Sequence, residues 1–408
     1  MSTETSATAL VLHGAKDLRL EKRIVSAPAG ADIQVAVTAT GLCGSDLHYY
    51  SHGRNGDFVV REPMCLGHES AGVVTAVGPE VGTAFKVGDR VALEVGLPCR
   101  QCAFCKNGRY NICKKMRFRS SAKTFPHLDG TLMARTNHPA AMCHALPDNV
   151  SDAGGALVEP LAVCLHAIRR SHPPTKEEVA LSNAAGEGTA ALVFGAGAIG
   201  LLVASALAVS QNFESIVVAD IDASRLEIAA SLGLGIKTAL IPRADPSSPP
   251  PPPKDAPHAD QTAWALKNAQ AVAAALVQAA QQEGVPPVSG FSRVYDCTGV
   301  PACVQAGIYA SEPGGVLVQI GMGNPIQTLP VGAAALREVD IIGVFRYDGY
   351  AYPAAIELLG SGKLKTTEEK VVTHRLPLEE GERAFTLAGK GVDEDGKPVV
   401  KVVIENKL

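Results

Sequence analysis

The stretch AALVFGAGAIGLLVASALAVS, Ala190 to Ser210, reads as a buried strand, a glycine turn and a helix. An apolar run leads into Gly195, Gly197 and Gly200, and an Ala/Leu-rich segment follows them. In this context the first glycine allows a tight turn, the second lets backbone approach a pyrophosphate, and the third permits close helix–strand contact. The helix N-terminus then favours the phosphate charge. Asp220 closes the next apolar run, SIVVAD, where a carboxylate accepts hydrogen bonds from ribose hydroxyls and repels a 2′-phosphate. That predicts NAD rather than NADP, with Asp222 reinforcing the negative field. Arg225 stacks on adenine, pairs with a phosphate or salt-bridges Glu227 or a neighbour, three alternatives the sequence leaves open.

Working outward, RLEIAASLG, FSRVYDCTG and GVLVQIGMG continue an alternation of helices and strands, which implies a parallel, doubly wound sheet. Upstream the texture differs. IQVAVTATG, AGVVTAVG and DRVALEVG, between Ile33 and Leu93, are short β-branched runs punctuated by Gly and Pro, an all-β pattern. An Ala-rich segment from Asp152 to Arg170 reads as a helix. The proline-rich insertion IPRADPSSPPPPPKDAPHAD, Ile241 to Asp260, is expected to be an extended or disordered surface segment. After Phe345, AYPAAIELLGSGK and PVVKVVIE are expected to return to the β-rich part. The resulting division of this α/β chain is 1–161 with 347–408 as one domain and 162–346 as the cofactor domain, with its insertion at 242–259.

CRQCAFCKNGRYNIC holds Cys99, Cys102, Cys105 and Cys113 within fifteen residues. Four thiolates at C-x2-C-x2-C-x7-C spacing surround one zinc tetrahedrally, a closed and therefore structural site. Residues 95–128 contain no acid but eight Lys or Arg, which raises a nucleic-acid-binding ribbon as an alternative. Against it, Zn²⁺ with four thiolates carries a net charge of about −2 that neighbouring cations offset, and few aromatics interleave. The whole chain has a net charge of −4 over 408 residues, which offers no general attraction to nucleic acid or anionic membrane. No apolar run reaches a spanning length and the N-terminus lacks a signal-peptide pattern, so an intracellular, cytoplasmic protein is expected. The terminal ENKL is read as a charged tail rather than an address.

Further ligand-type residues stand in three separate segments: Cys43 in GLCGSDLHYY, His68 and Glu69 in LGHESAG, and Glu159 in GGALVEPLAV. Singly each has a dull explanation. Together with GDFVVREPMCLGHESAG, KVGDRVALEVG, the cysteine lobe, LPDNVSDAGGALVEPLAV, VFGAGAIG, ADIDASRL, DCTGV and GVFRY, they resemble the zinc-dependent medium-chain alcohol dehydrogenases, in their polyol dehydrogenase branch. The resemblance spans almost the entire chain.

The resemblance implies a β-rich GroES-like catalytic domain with an inserted Rossmann domain, NAD, and two zinc ions per chain. It assigns Cys43 and His68 as catalytic-zinc ligands, Glu69 as a ligand or close acid, and Glu159 as binding the zinc or its water. Zinc as a Lewis acid lowers the pKa of a bound alcohol. Ser45 and His48 resemble a proton relay, while Tyr49, Glu159, Arg346 and Tyr347 resemble substrate contacts; an interdomain salt bridge is the plain alternative for Arg346. Ile199, Ile320, Gly321, Met322, Phe345 and Arg346 are expected along the nicotinamide half of the cofactor. A small polyol partner, no nucleic acid, no membrane and a homotetramer complete the expectation. Sorbitol and xylitol lead as substrates, with L-arabinitol, threonine or a non-catalytic nucleotide-binding relative as alternatives.

Overall fold

The computed structural model describes residues 4–241, 250–282 and 290–407, and the chain divides into two compact units, Met1–Val163 with Arg346–Leu408, and Cys164–Phe345. The first boundary falls inside the helix Val158–Arg170, two residues later than the sequence places it. Arg346 belongs with the first unit rather than the cofactor unit.

The first unit is built on a seven-stranded sheet. Strand Asp32–Gly41 pairs with Glu69–Val77 on one side and Lys401–Glu405 on the other, so the C-terminal strand lies against the N-terminal third of the chain. The β-branched runs that suggested strands at 33–93 reflect burial: Asp32–Gly41 is buried along nearly its whole length. A hairpin, Thr5–Gly14 with Asp17–Val25, precedes the first strand read from the sequence. Its residues Ala9 to Leu12 pack with Tyr49, Met64, Leu132 and Phe385 into one core. The expected helix from Asp152 to Arg170 is two helices, Asp152–Ala156 and Val158–Arg170, separated at Leu157.

The second unit is a six-stranded parallel sheet. Numbered in chain order within the unit, its strands lie 3-2-1-4-5-6: Lys237–Leu240, Ser215–Asp220, Ala190–Phe194, Phe291–Asp296, Ser311–Gln319 and Asp340–Gly343. This is the order of a dinucleotide-binding sheet, with its switch point beside the central strand Ala190–Phe194. Both faces of that strand are buried, which explains why it reads as a continuous apolar run. Of the proline-rich insertion, 242–249 lie outside the described residues and 250–257 form no helix or strand. His258 to Asp260, expected to be part of it, instead begin the 25-residue helix His258–Gln282. Ala269, Ala273, Leu276 and Ala280 line the buried side of that helix at helical spacing.

Candidate active site

The pairing of Gly41 with Glu69 in the first unit brings two strand ends together and decides the geometry there. Two residues past Gly41, Cys43 becomes the N-cap of helix Gly44–His52, and His68 immediately precedes the facing strand. A Cβ at position 41 would stand 2.2 Å from Glu69 Oε2, so only glycine leaves this carboxylate its place. The donor atoms of Cys43, His68 and Glu69 lie within 4.8 Å of one another. One sulfur, one imidazole nitrogen and one carboxylate at that separation fit a zinc ion.

Each donor is held by a buried neighbour. Asp46 Oδ1 lies 3.3 Å from His68 Nδ1 and accepts from Gly67 N at 3.1 Å and Ser120 Oγ at 2.8 Å, while Oδ2 accepts from Cys43 N at 3.2 Å. Burial pushes the Asp46 carboxyl up, but His68 and these donors outweigh it and hold it below its usual range. With Nδ1 turned toward Asp46, Nε2 is the ring nitrogen left to hold a metal. Lys401 Nζ donates to Glu69 Oε1 at 2.9 Å, to Oε2 at 2.7 Å and to Leu42 O at 3.0 Å. Lys401 and Glu69 side chains are 5% and 1% exposed, so this is an ion pair in the interior.

Glu159 lies outside the three-donor group. It is buried, and burial raises its carboxyl to about 7, with His68 opposing and Glu69 adding to the rise. Arg346 sits in the left-handed region at φ 57, with its guanidinium 3.6 Å from the centre of the Phe118 ring. Phe118 also faces the His68 ring at 5.8 Å. Tyr347 is buried against Tyr352, ring centres 5.2 Å apart, and its hydroxyl has no hydrogen-bond partner among the described residues.

Other expected contacts are placed differently. Tyr49 is 2% exposed in the core, and its hydroxyl accepts from Ala122 N at 3.0 Å, so it forms a wall more than an open contact. Ser45 Oγ lies 3.4 Å from His68 Nε2, whereas His48 is exposed, and no hydrogen bond joins Ser45 to His48 among the described residues. The expected relay is therefore not continuous through side chains alone.

Sequence reasoning passed over Asp46 and Lys401. Asp46 stood three residues after Cys43, in a capping-box position. Lys401 interrupted the apolar run of PVVKVVIE, and a lysine inside a strand of that kind signals a buried counter-charge.

The four cysteines of the lobe converge, with all four sulfurs within 4.8 Å; Cys102 and Cys105 sulfurs are 3.4 Å apart and those of Cys99 and Cys105 3.9 Å. Backbone N–H groups of Gln101 and Cys102 draw the Cys99 thiol down to about 6, while burial pushes Cys105 up to about 12. Four sulfurs alone suit a closed zinc site. Arg119, one of the cations counted around this lobe, is buried and donates from Nε to His138 Nδ1 at 3.1 Å.

In the second unit the glycine turn has the expected close approach. A Cβ on Gly200 would lie 1.8 Å from Gly195 O. Gly197 caps helix Ala198–Ser210 and its missing Cβ faces open space, with only Arg225 Nη1 at 4.0 Å. Asp220 Oδ2 accepts from Ala196 N at 2.6 Å, and Oδ1 accepts from Asp222 N at 2.9 Å. Arg225 Nε pairs with a neighbouring acid, Asp222, at 3.8 Å. Among the described residues no helix is long and apolar enough to cross a membrane.

A sheet-end donor triad, a four-sulfur lobe and a 3-2-1-4-5-6 parallel sheet define a class, and comparison with known proteins agrees. Residues 29–148 match the alcohol dehydrogenase GroES-like domain, and residues 264–361 match the zinc-binding dehydrogenase family. The sorbitol dehydrogenase of Gallus gallus is 40% identical over 386 residues, 94% of each chain. A probable D-xylulose reductase A of Aspergillus clavatus is 37% identical over 96% of each. The crystal structure of L-idonate 5-dehydrogenase from Escherichia coli, 24% identical, superposes over 99% of both chains with a TM-score of 0.78 and shows the same fold. The chain belongs to the zinc-dependent medium-chain alcohol dehydrogenase family, in the branch that holds the polyol dehydrogenases.

Proposed function

We propose that this chain oxidises a secondary hydroxyl of a polyol to a ketose with NAD, sorbitol to fructose and xylitol to xylulose being the leading conversions. The observation that carries the reading is the Cys43, His68 and Glu69 donor group within 4.8 Å, held by Asp46 and Lys401. The names of the sorbitol dehydrogenase and D-xylulose reductase relatives support the substrate class. Cys43 and His68 would hold a zinc ion, with Glu69 beside it and Glu159 contacting it directly or through water; the four cysteines would hold a second.

When bound, the first zinc supplies Lewis acidity that lowers the pKa of an alcohol hydroxyl. The remaining work falls to side chains. Asp46 fixes the His68 ring, and Lys401 offsets the Glu69 charge so that the site does not accumulate uncompensated negative charge. Glu159, with its carboxyl raised to about 7, accepts a hydrogen bond from the substrate or its water. Arg346 and the unpartnered Tyr347 hydroxyl donate to the other hydroxyls of the polyol, and a simple alcohol would leave the buried Tyr347 hydroxyl unpaired. Ser45 Oγ takes the alcohol proton, and a hydroxyl outside the side-chain set must bridge it to His48. NAD, when bound, would supply the hydride acceptor, so that oxidation of the carbinol carbon would leave a ketone, NADH and one proton. Asp220 at the strand end favours NAD over NADP. A homotetramer is the expected assembly.

The test is a panel of alditols and simple alcohols followed by NADH absorbance, with zinc measured on the same sample. The expected result is turnover of alditols, a kcat/KM for NAD above that for NADP, and about two zinc atoms per chain. An absence of alditol turnover at full zinc content would refute the substrate class. A preference for NADP would refute the role given to Asp220.

A further inference from the structure

Asp296 ends the fourth strand of the cofactor sheet and is fully buried, with no part in the chemistry above. That strand opens the second mononucleotide-binding half of a doubly wound sheet. Both carboxylate oxygens are engaged. Oδ1 accepts from Thr298 N at 3.0 Å and from Thr298 Oγ1 at 2.6 Å, and Oδ2 accepts from Gly299 N at 2.9 Å. Thr298 Oγ1 in turn accepts from Val300 N at 3.0 Å. The Asp296 carbonyl accepts from Ile320 N at 2.9 Å and Gly321 N at 3.0 Å.

One residue thus ties the loop leaving the fourth strand to the loop leaving the fifth. The two loops are pressed together: a Cβ on Gly323 would lie 1.8 Å from Gly299 O, and one on Gly321 would lie 2.2 Å from Gly299 N. Thr298 also reaches the glycine turn of the first half, its Cγ2 lying 2.9 Å from where a Gly195 Cβ would stand. These are the carboxyl ends of parallel strands, where ligands of open α/β sheets bind. Among the described residues, the side-chain partners of Asp296 are all neutral donors. Burying a carboxylate without a counter-ion costs stability, and what it returns here is short charge-assisted hydrogen bonds that fix a loop.

We propose that Asp296 is a positioning residue for the nicotinamide half of the cofactor. By holding Thr298 and Gly299 against Ile320 to Gly323, it sets the wall on which the nicotinamide riboside rests. The inference rests on the dinucleotide reading of this unit and extends it to a residue outside the glycine turn. The adenosine half relies on a different set, Gly195 to Gly200, Asp220 and Arg225, none of which accepts or donates a hydrogen bond to Asp296 among the described residues.

The experiment is calorimetric titration of the full chain with NADH and, separately, with ADP, which carries only the adenosine and the two phosphates. Asp296→Asn keeps the shape but sets an amide nitrogen against a backbone or hydroxyl donor. Its NADH dissociation constant should rise roughly ten- to a hundredfold while that for ADP stays within about threefold. Thr298→Val should show the same split, and Thr298→Ser, which keeps the hydroxyl, should bind NADH as the wild type does. Equal weakening of both ligands, or unchanged NADH affinity in Asp296→Asn or Thr298→Val, would overturn the proposal. If Asp296→Asn fails to fold, the Thr298→Val and Thr298→Ser pair decides it. A wild-type chain that binds neither ligand overturns the dinucleotide reading itself, and this inference with it.

Discussion

Replacing Lys401 by Met removes one amine and leaves the Glu69 carboxylate in the interior without its counter-ion. Three contacts go at once, to Oε1 at 2.9 Å, Oε2 at 2.7 Å and Leu42 O at 3.0 Å. Both side chains are almost wholly inaccessible, so water cannot replace the lost partner. Breaking one side of such a pair costs about 3–5 kcal/mol, more than an exposed salt bridge is worth by several-fold. Lys401 begins the strand Lys401–Glu405, whose Val403 and Ile404 pair with Gly41 and Thr40, so the loss should be felt as easier opening of this part of the sheet. Amide exchange of Val402 to Ile404, measured in protein freed of the metal at Cys43 and His68 so that no ion offsets Glu69, should accelerate by roughly two to three and a half powers of ten, since about 1.4 kcal/mol corresponds to tenfold. The double variant Glu69→Gln/Lys401→Met should recover a large part of that loss, because the cost lies in the unpaired charge rather than in the missing volume. Exchange in Lys401→Met within threefold of wild type would refute the reasoning, as would a double variant that is worse than Lys401→Met alone.

Cys43→Ser should lose turnover by several powers of ten and lower the zinc content by about one atom per chain, while NADH binding stays near wild type; unchanged activity would remove Cys43 from the metal site. Cys102→Ser should lose the other zinc and lower the melting temperature, and a normal melt with full zinc would count against a structural lobe. Gly200→Ala places a methyl group 1.8 Å from Gly195 O, so the turn must open; NADH binding in titration should become undetectable, and retained affinity would contradict the close approach. His138 is buried, accepts from Arg119 Nε on Nδ1 and donates from Nε2 to Glu94 O, and burial with the Arg119 charge pushes it down to about 3. The unfolded chain takes up this proton near pH 6.5 and the folded chain does not. Stability should therefore be insensitive to this group above pH 6.5 and fall below it by about 1.4 kcal/mol per unit, about 2 kcal/mol by pH 5. His138→Gln should show a shallower loss on acidification in thermal melts, and identical slopes would exclude the histidine as the cause.

What could be read from the sequence was whatever is written in short-range pattern. The Gly195 to Gly200 turn was legible because its neighbours on both sides, an apolar run and an Ala-rich run, specify the elements that give the glycines meaning. The cysteine lobe was legible because its ligands fall within fifteen residues and the spacing itself encodes the shared centre. The donor group at Cys43, His68 and Glu69 was legible only through family resemblance, since twenty-five residues separate the first donor from the second and no local rule brings them together. What brings them together is the register of Gly41 with Glu69, a long-range fact of the sheet. The partner of Lys401 was illegible for the same reason in stronger form: it lies 332 positions away, and a lone lysine in a C-terminal apolar strand signals a buried counter-charge without showing which residue carries it. Asp296 lies between these cases. DCTG can be seen as a turn, because an Asp two residues before a Thr and three before a Gly supplies side-chain acceptors to their N–H groups. That the same residue also receives Ile320 and Gly321 depends on the fifth strand lying beside the fourth, which only the completed sheet provides. Residues whose partners lie within one short segment were thus visible to pattern, whereas those whose partners lie across the sheet became visible only when strand order and register were known.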